Sequence, residues 1–152
     1  MNLSEHFTLA ELTASDTAAR AGIDNKPNDS EIANLASLCE EILEPLRATV
    51  GPVQVTSGFR CIPLNRRIGS KDTSHHTMGR AADIKVAGMK PLDVCELIVS
   101  MGLGFEQCIS EFATPNGGGW THVSIPENGK APKRQCLTID RLGTRPGLHP
   151  AR

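Results

Sequence analysis

Two histidines and one aspartate stand out in this sequence because of their side-chain types and their spacing. His76 and Asp83 lie seven residues apart, on either side of Gly79, and His122 follows in a later segment. Two imidazoles and one carboxylate can hold a zinc ion and leave its fourth position open for water. Metal-dependent hydrolysis requires that arrangement.

The elements around these residues would have to bring them together. We expect His76 in a loop, because its polar and glycine neighbours support neither a helix nor a buried strand. Asp83 is expected at the start of a strand, so the two residues can converge on one ion if the chain bends at Gly79. The two-residue alternation of a strand places His122 on the same face as Trp120.

A hairpin is predicted to bring a second carboxylate close to His122. Phe105–Phe112 and Trp120–Ile125 have the pattern of strands, and Ala113–Gly119 between them is rich in turn residues. In the register that pairs Glu111 with His122, the carboxylate can accept a proton from a water molecule at the metal. A slip by one residue would turn Glu111 to the other face.

Each of these residues also has an ordinary structural explanation when it is taken alone. A loop histidine beside a sheet is usually solvated or caps a turn, Asp83 fits a turn carboxylate, and Glu111 fits a surface charge. The combination of two imidazoles with a carboxylate matches a known catalytic zinc set. Spacing alone leaves both explanations open.

The composition indicates one domain and argues against a nucleic-acid partner. The chain has 152 residues, 16 Lys plus Arg, 17 Asp plus Glu, a net charge of −1 and 3% aromatic residues, so neither a basic face nor a stacking platform is expected. Five cysteines lack a CxxC pair and are predicted to be reduced. Without a signal-peptide pattern or an apolar stretch of membrane length, we expect a monomer that is made in the cytoplasm.

Helical patterns come first and strands later, which predicts an α+β fold with a small antiparallel or mixed sheet that carries the site and packs against helices. A capping box at Thr8–Glu11 starts a short helix. A longer helix, capped by Ser30, carries apolar residues from Ile32 to Leu46, and Pro45 should kink or shorten it. We predict one domain over residues 1–141 and a loose C-terminal tail over 142–152.

The motifs around the site resemble a known family, namely the zinc D-Ala-D-Ala carboxypeptidases and the L-alanyl-D-glutamate peptidases of phage endolysins. The hedgehog signalling domain has the same metal-site fold. The resemblance covers roughly residues 5 to 126. It rests on four segments: Ser74-x-His76-x-x-Gly79-x-Ala81-x-Asp83, Trp120-x-His122-Val123-Ser124, Ser57-Gly58-Phe59-Arg60 with Asn65, and Phe7-Thr8-Leu9-x-Glu11-Leu12.

The resemblance implies one Zn²⁺ per chain, held by His76, Asp83 and His122. It implies that Arg60 either pairs with a substrate carboxylate or anchors the site loop, and that Ser74 hydrogen-bonds either the substrate or a ligand loop. Several relatives carry the catalytic acid two or three residues before the last histidine, where this chain has residues that cannot transfer protons: Gly119, Trp120 and Thr121. In the phage-like branch a glutamate ends the preceding strand, and Glu111 is similar to it.

The implied function is hydrolysis of a peptide bond in the stem peptides of bacterial peptidoglycan. The bond is either L-Ala–D-Glu, as in an endolysin, or D-Ala–D-Ala, as in a carboxypeptidase. A phage endolysin of this kind would reach the cell wall after release by a holin or by lysis. The alternative is a non-catalytic zinc-binding or virion structural module of the same fold, which would keep the ligands but need no base.

Overall fold

The computed structural model describes residues 1–152, and six strands of its chain form one mixed sheet. The strands are Gln54–Ser57 (β1), Ala81–Lys85 (β2), Gln107–Glu111 (β3), Trp120–Ser124 (β4), Gln135–Asp140 (β5) and Gly143–Pro146 (β6). The α-helices are Leu9–Thr13 (α1), Asp16–Ala21 (α2), Asp29–Leu38 (α3), Glu44–Val50 (α4), Ile62–Ile68 (α5) and Pro91–Ser100 (α6). The predicted α+β fold is confirmed.

The order of the strands in the sheet is β1-β2-β4-β3-β5-β6. Neighbouring strands are antiparallel except β3 and β5, which run parallel. Strands β2 and β4 are therefore adjacent in the sheet although α6 and β3 separate them in sequence. Their register pairs Asp83 with His122, so two of the three predicted ligands are direct cross-strand partners.

The N-terminal helices begin at side-chain caps. The predicted box at Thr8 is confirmed, because Thr8 Oγ1 accepts from the Glu11 backbone N–H at 3.2 Å and the Glu11 carboxylate accepts from the Thr8 N–H at 3.3 Å. The predicted cap Ser30 is wrong. Asn28 caps α3 instead, because it forms a complete capping box with Glu31 at 2.8 and 2.9 Å.

Pro45 neither breaks the long helix nor ends it. The turn before it, Cys39–Leu43, is a π-helical turn in which the Glu44 N–H donates to the Cys39 carbonyl. Pro45 then lies in the first turn of α4, where its missing N–H and fixed φ are tolerated. The helical segment therefore continues past the proline through one widened turn.

The hydrophobic core lies on one face of the sheet and is covered by the helices. Its fully buried residues include Leu35, Leu38, Ile42, Ile84 and Val123. Because side chains alternate along β2, Ala82 and Ile84 face this core, and Asp83 between them faces the opposite side. No helix is both long enough and apolar enough to span a bilayer.

The expectation of a loose C-terminal tail is wrong, because the segment after Asp140 adds the sixth strand. Residues of β6 pair with β5, and the Leu142 N–H donates to Asp140 Oδ1 at 2.8 Å in the turn between them. Arg152 Nε donates to Asp140 Oδ2 at 2.9 Å and ties down the end of the chain. Pro146 is tolerated because β6 is an edge strand.

Candidate metal centre

A short 3₁₀ turn, His75–Met78, positions the first histidine. Ser74 caps this turn by accepting from the His76 backbone N–H at 3.3 Å. Gly79 ends it in the left-handed region with φ 72, and a Cβ on Gly79 would lie 2.5 Å from the Glu31 carbonyl oxygen. The predicted bend at Gly79 is confirmed, and only glycine satisfies both its conformation and its space.

The orientation of the His76 ring is fixed from its far side. Its Nδ1 lies 2.7 Å from the Gly58 carbonyl oxygen. Because a carbonyl only accepts hydrogen bonds, Nδ1 carries the proton and the lone pair of the neutral ring is on Nε2. Only glycine fits at position 58, because a Cβ there would overlap the backbone carbonyl of Leu12.

Three ligand atoms from three separate segments converge on the face of the sheet opposite the core. His76 Nε2 lies 3.2 Å from His122 Nδ1. Asp83 Oδ1 lies 3.3 Å from His76 Nε2 and 3.1 Å from His122 Nδ1. All three residues are buried, so their polar atoms need partners other than bulk water.

This spacing fits a tetrahedral zinc ion. Zinc binds nitrogen and oxygen ligands at about 2.0–2.2 Å, and tetrahedral geometry then requires ligand atoms about 3.3–3.6 Å apart. The observed separations of 3.1–3.3 Å lie within a few tenths of an ångström of that requirement. Two neutral imidazoles and one carboxylate form a donor set that zinc accepts, and this cluster could hold such an ion.

The second oxygen of Asp83 is bound by Arg60. Arg60 Nη2 donates to Asp83 Oδ2 at 3.3 Å, its Nε donates to Ser57 Oγ at 3.1 Å, and its Nη1 donates to Asn65 Oδ1 at 3.1 Å. Asn65 in turn donates to the Lys71 carbonyl at 2.7 Å. Each guanidinium nitrogen therefore has a protein partner, which is the geometry expected if Arg60 anchors the site.

The carboxyl of Asp83 is held in its charged form. Burial alone would raise its pKa, but the adjacent His122 and His76 rings outweigh burial, and the pKa lies well below its usual value. The ionised carboxylate is the form that binds a cation.

The register of the β3–β4 hairpin differs by two residues from the one that would pair Glu111 with His122. Ile109, not Glu111, lies opposite His122, and Glu111 pairs with Trp120. The connecting loop is longer than predicted, because Phe112 is already outside β3. Its backbone has a positive φ of 52, and Gly119 at the other end of the loop has a φ of 88. A shift of two preserves the face, so Glu111 remains on the side of His122.

Glu111 lies diagonally across from His122, with its Oε1 3.9 Å from His122 Nδ1. Burial raises the pKa of the Glu111 carboxyl, the charge of Asp83 raises it further, and His122 opposes both. The buried indole N–H of neighbouring Trp120 also lowers the pKa of Glu111, although it forms no well-aligned hydrogen bond. The Glu111 carboxylate therefore approaches His122 but is not part of the three-residue cluster.

The sequence predicted the three side chains that converge here, but not the groups that hold them in place. The carbonyl of Gly58 and the side chains of Ser57 and Asn65 support His76 and Arg60. All three lie in motif segments that the sequence singles out. Their partners could not be read from the sequence, because each contact crosses from the loop after β1 to another element.

A model of the family described as Peptidase M15 matches residues 5–124, a range that includes all three converging side chains. The resemblance noted in the sequence is thereby confirmed at the level of the family. No curated protein matches the chain. The match covers most of the sequence, and we conclude that this chain belongs to the peptidase M15 family of hydrolases.

Proposed function

We propose that the protein is a zinc-dependent peptidase that cleaves a peptide bond in the stem peptides of bacterial peptidoglycan. The observation that carries this proposal is the convergence of His76 Nε2, Asp83 Oδ1 and His122 Nδ1 at 3.1–3.3 Å from one another. Membership of a peptidase family supports the same reading. One zinc ion per chain would be held by these three residues.

A bound zinc ion supplies a Lewis acid that polarises the scissile carbonyl and lowers the pKa of a water molecule toward about 7. Glu111 is the proposed general base: its Oε1 accepts the proton of the attacking water and returns that proton to the leaving amine. Arg60 keeps Asp83 in place, and Ser74 keeps the His76 turn in place. These two are positioning residues in this proposal.

A cavity beside His122 leaves room for part of a peptide substrate. This cavity of ≈300 Å³ is lined by Ser74, His75 and His122 among others.

We place the protein among phage endolysins of the L-Ala–D-Glu type, acting on the wall after release by a holin or by lysis. The short start motif from Phe7 to Leu12 supports this assignment. Mass spectrometry of the muropeptides that purified protein releases from peptidoglycan identifies the bond: new N-terminal D-glutamate supports the endopeptidase, whereas loss of a single D-alanine supports a carboxypeptidase.

Glu111→Ala separates an enzyme from a binding module. We expect the variant to bind one zinc ion per chain and to release no muropeptides. Glu127→Gln is the matched control, because Glu127 is an exposed carboxylate away from the ligands. Wild-type protein that holds zinc and releases nothing would instead be a non-catalytic or virion structural module.

A further inference from the structure

Two aromatic side chains stack on each other at the end of the β3–β4 hairpin. The chain has four Phe, one Trp and no Tyr, and Phe7, Phe59 and Phe105 are buried. The other two aromatic residues are not, because Phe112 is 44% exposed and Trp120 is partly exposed. Their ring centroids lie 5.4 Å apart, with the ring planes tilted by 35°. Nearly all the aromatic surface that this chain offers to a ligand is therefore concentrated in this aromatic pair.

The backbone holds the Phe112 ring in this position. Phe112 has a φ of 52, which is rare for a residue other than glycine. Its N–H donates to the Ile139 carbonyl of β5 at 2.8 Å. Gly119 packs against its backbone, because a Cβ on Gly119 would lie only 2.6 Å from the carbonyl carbon of Phe112. Contacts on two sides therefore maintain an unfavourable conformation that stacks a large, exposed ring on Trp120.

The aromatic pair adjoins the candidate metal centre. Glu111 precedes Phe112 in the chain and is the cross-strand partner of Trp120. Trp120 is two residues before His122 on β4, so the side chains of Glu111, Trp120 and His122 share one face of the sheet. Two strand residues span about 6.6 Å. A group that packs on the aromatic pair therefore lies about two residue lengths from His122.

The proposed substrate has a ring at this distance from its scissile bond. In peptidoglycan the stem peptide begins with L-Ala, which a lactyl group joins to the sugar N-acetylmuramic acid. An L-Ala residue and a lactyl unit together span about 6.6–7.2 Å when they are extended. The C–H groups on the face of a pyranose ring pack favourably on the negative face of an aromatic ring, whereas the carboxylate of the D-Glu beyond the scissile bond does not. The sugar therefore suits the aromatic pair better than the D-Glu residue does.

We infer that Phe112 and Trp120 form a subsite that binds the N-acetylmuramic acid ring of the substrate, on the amino side of the scissile bond. This inference rests on the proposed peptidase function and names a part of peptidoglycan, besides the stem peptide, that the enzyme recognises. With the scissile carbonyl at the metal centre, the L-Ala residue lies beside Glu111 and the sugar packs on the two rings. The enzyme therefore prefers stem peptides that are still attached to the sugar.

The kinetic test compares two synthetic substrates that differ only in the sugar, N-acetylmuramoyl-L-Ala-γ-D-Glu-L-Lys and lactoyl-L-Ala-γ-D-Glu-L-Lys. We expect the wild type to cleave the muramoyl substrate with a kcat/KM about tenfold higher, chiefly through a lower KM, because stacking on aromatic rings contributes a factor of this order. In Phe112→Asn the ratio of the two kcat/KM values should fall to about one, since asparagine tolerates a positive φ but has no aromatic ring. Phe112→Tyr keeps a ring and should keep the preference.

Leu142→Asn is the matched control, because Leu142 is an apolar side chain that is 64% exposed in the turn between β5 and β6. We expect this variant to keep the preference of the wild type. A wild type that cleaves the two substrates equally well, or a Phe112→Asn variant that retains the preference, would overturn the subsite.

Trp120 is the only tryptophan of the chain, so its fluorescence reports occupancy of the aromatic pair without turnover. N-acetylmuramoyl-L-Ala should change the Trp120 emission of the zinc-loaded wild type at about tenfold lower concentration than lactoyl-L-Ala, and Phe112→Asn should remove this difference. Equal affinity of the wild type for the two compounds would overturn the subsite, whichever substrates are cleaved. Sugar-dependent binding to a wild type that cleaves neither substrate would refute the proposed reaction but support the subsite.

Discussion

Replacing Arg60 by alanine tests how the centre is held together. The substitution removes the partner of Asp83 Oδ2 at 3.3 Å and leaves a carboxylate whose side chain is only 9% exposed. Loss of a group that supports a metal ligand typically weakens metal affinity about 10–100-fold, which corresponds to about 1.4–2.8 kcal/mol. Breaking a buried ion pair also destabilises the apo fold by about 3 kcal/mol or more.

Competition with a fluorescent zinc chelator measures the first effect, and urea unfolding of the metal-free protein measures the second. Arg66→Ala is the matched control: Arg66 is on α5 and pairs with Asp72, but both side chains are largely exposed, at 66% and 48%. We expect the control to leave zinc affinity and stability unchanged. Unchanged zinc affinity in Arg60→Ala, together with a raised KM, would refute the anchoring role and support direct contact of Arg60 with the substrate.

Three further predictions concern other parts of the molecule. Glu111→Gln should lower kcat by about 10²–10⁴-fold with unchanged zinc content, and a variant of undiminished kcat would remove Glu111 as the base. Burial and nearby carboxylates raise the pKa of the Cys39 thiol to about 12, so iodoacetamide at pH 8 should modify Cys39 only after unfolding; rapid labelling of the native protein would contradict its burial. Burial alone would raise the pKa of Glu44, but hydrogen bonds from Ser4 and His6 outweigh it and lower the pKa. The contribution of Glu44 to the free energy of unfolding is therefore fully present above pH about 4.5. It is lost as the pH falls through the lower pKa that Glu44 has in the folded state. The difference in urea midpoint between the wild type and Glu44→Gln should shrink below that pH, and a constant difference would contradict this.

The three converging side chains could be predicted from the sequence because their chemistry is local. His76 and Asp83 are separated by a short turn that requires the glycine at position 79. The alternation of side chains along a strand puts His122 on the same face as Trp120, whichever strands lie beside it. The α+β class followed from the order of helical and strand patterns. These features depend on side-chain type and short-range periodicity, and both can be read from the sequence alone.

The features that sequence reasoning got wrong depend on contacts between distant segments or on unusual backbone conformations. The hairpin register was missed because Phe112, a non-glycine residue, adopts a positive φ. The ordered C-terminus was missed because β6 is a short edge strand that needs β5 and Asp140 to form. The role of Arg60 was left open because Asp83, Ser57 and Asn65 lie on different elements.

Zinc-dependent release of muropeptides is the most direct measurement of the central claim. We expect purified protein to hold one zinc ion per chain, to cleave stem peptides in purified peptidoglycan, to lose this activity on chelation and to regain it when zinc is returned. His122→Ala should show neither zinc nor activity. Release that persists in the chelated protein or in His122→Ala, or zinc-loaded wild type that releases no muropeptide, would contradict the assignment of His76, Asp83 and His122 as the centre of a peptidase.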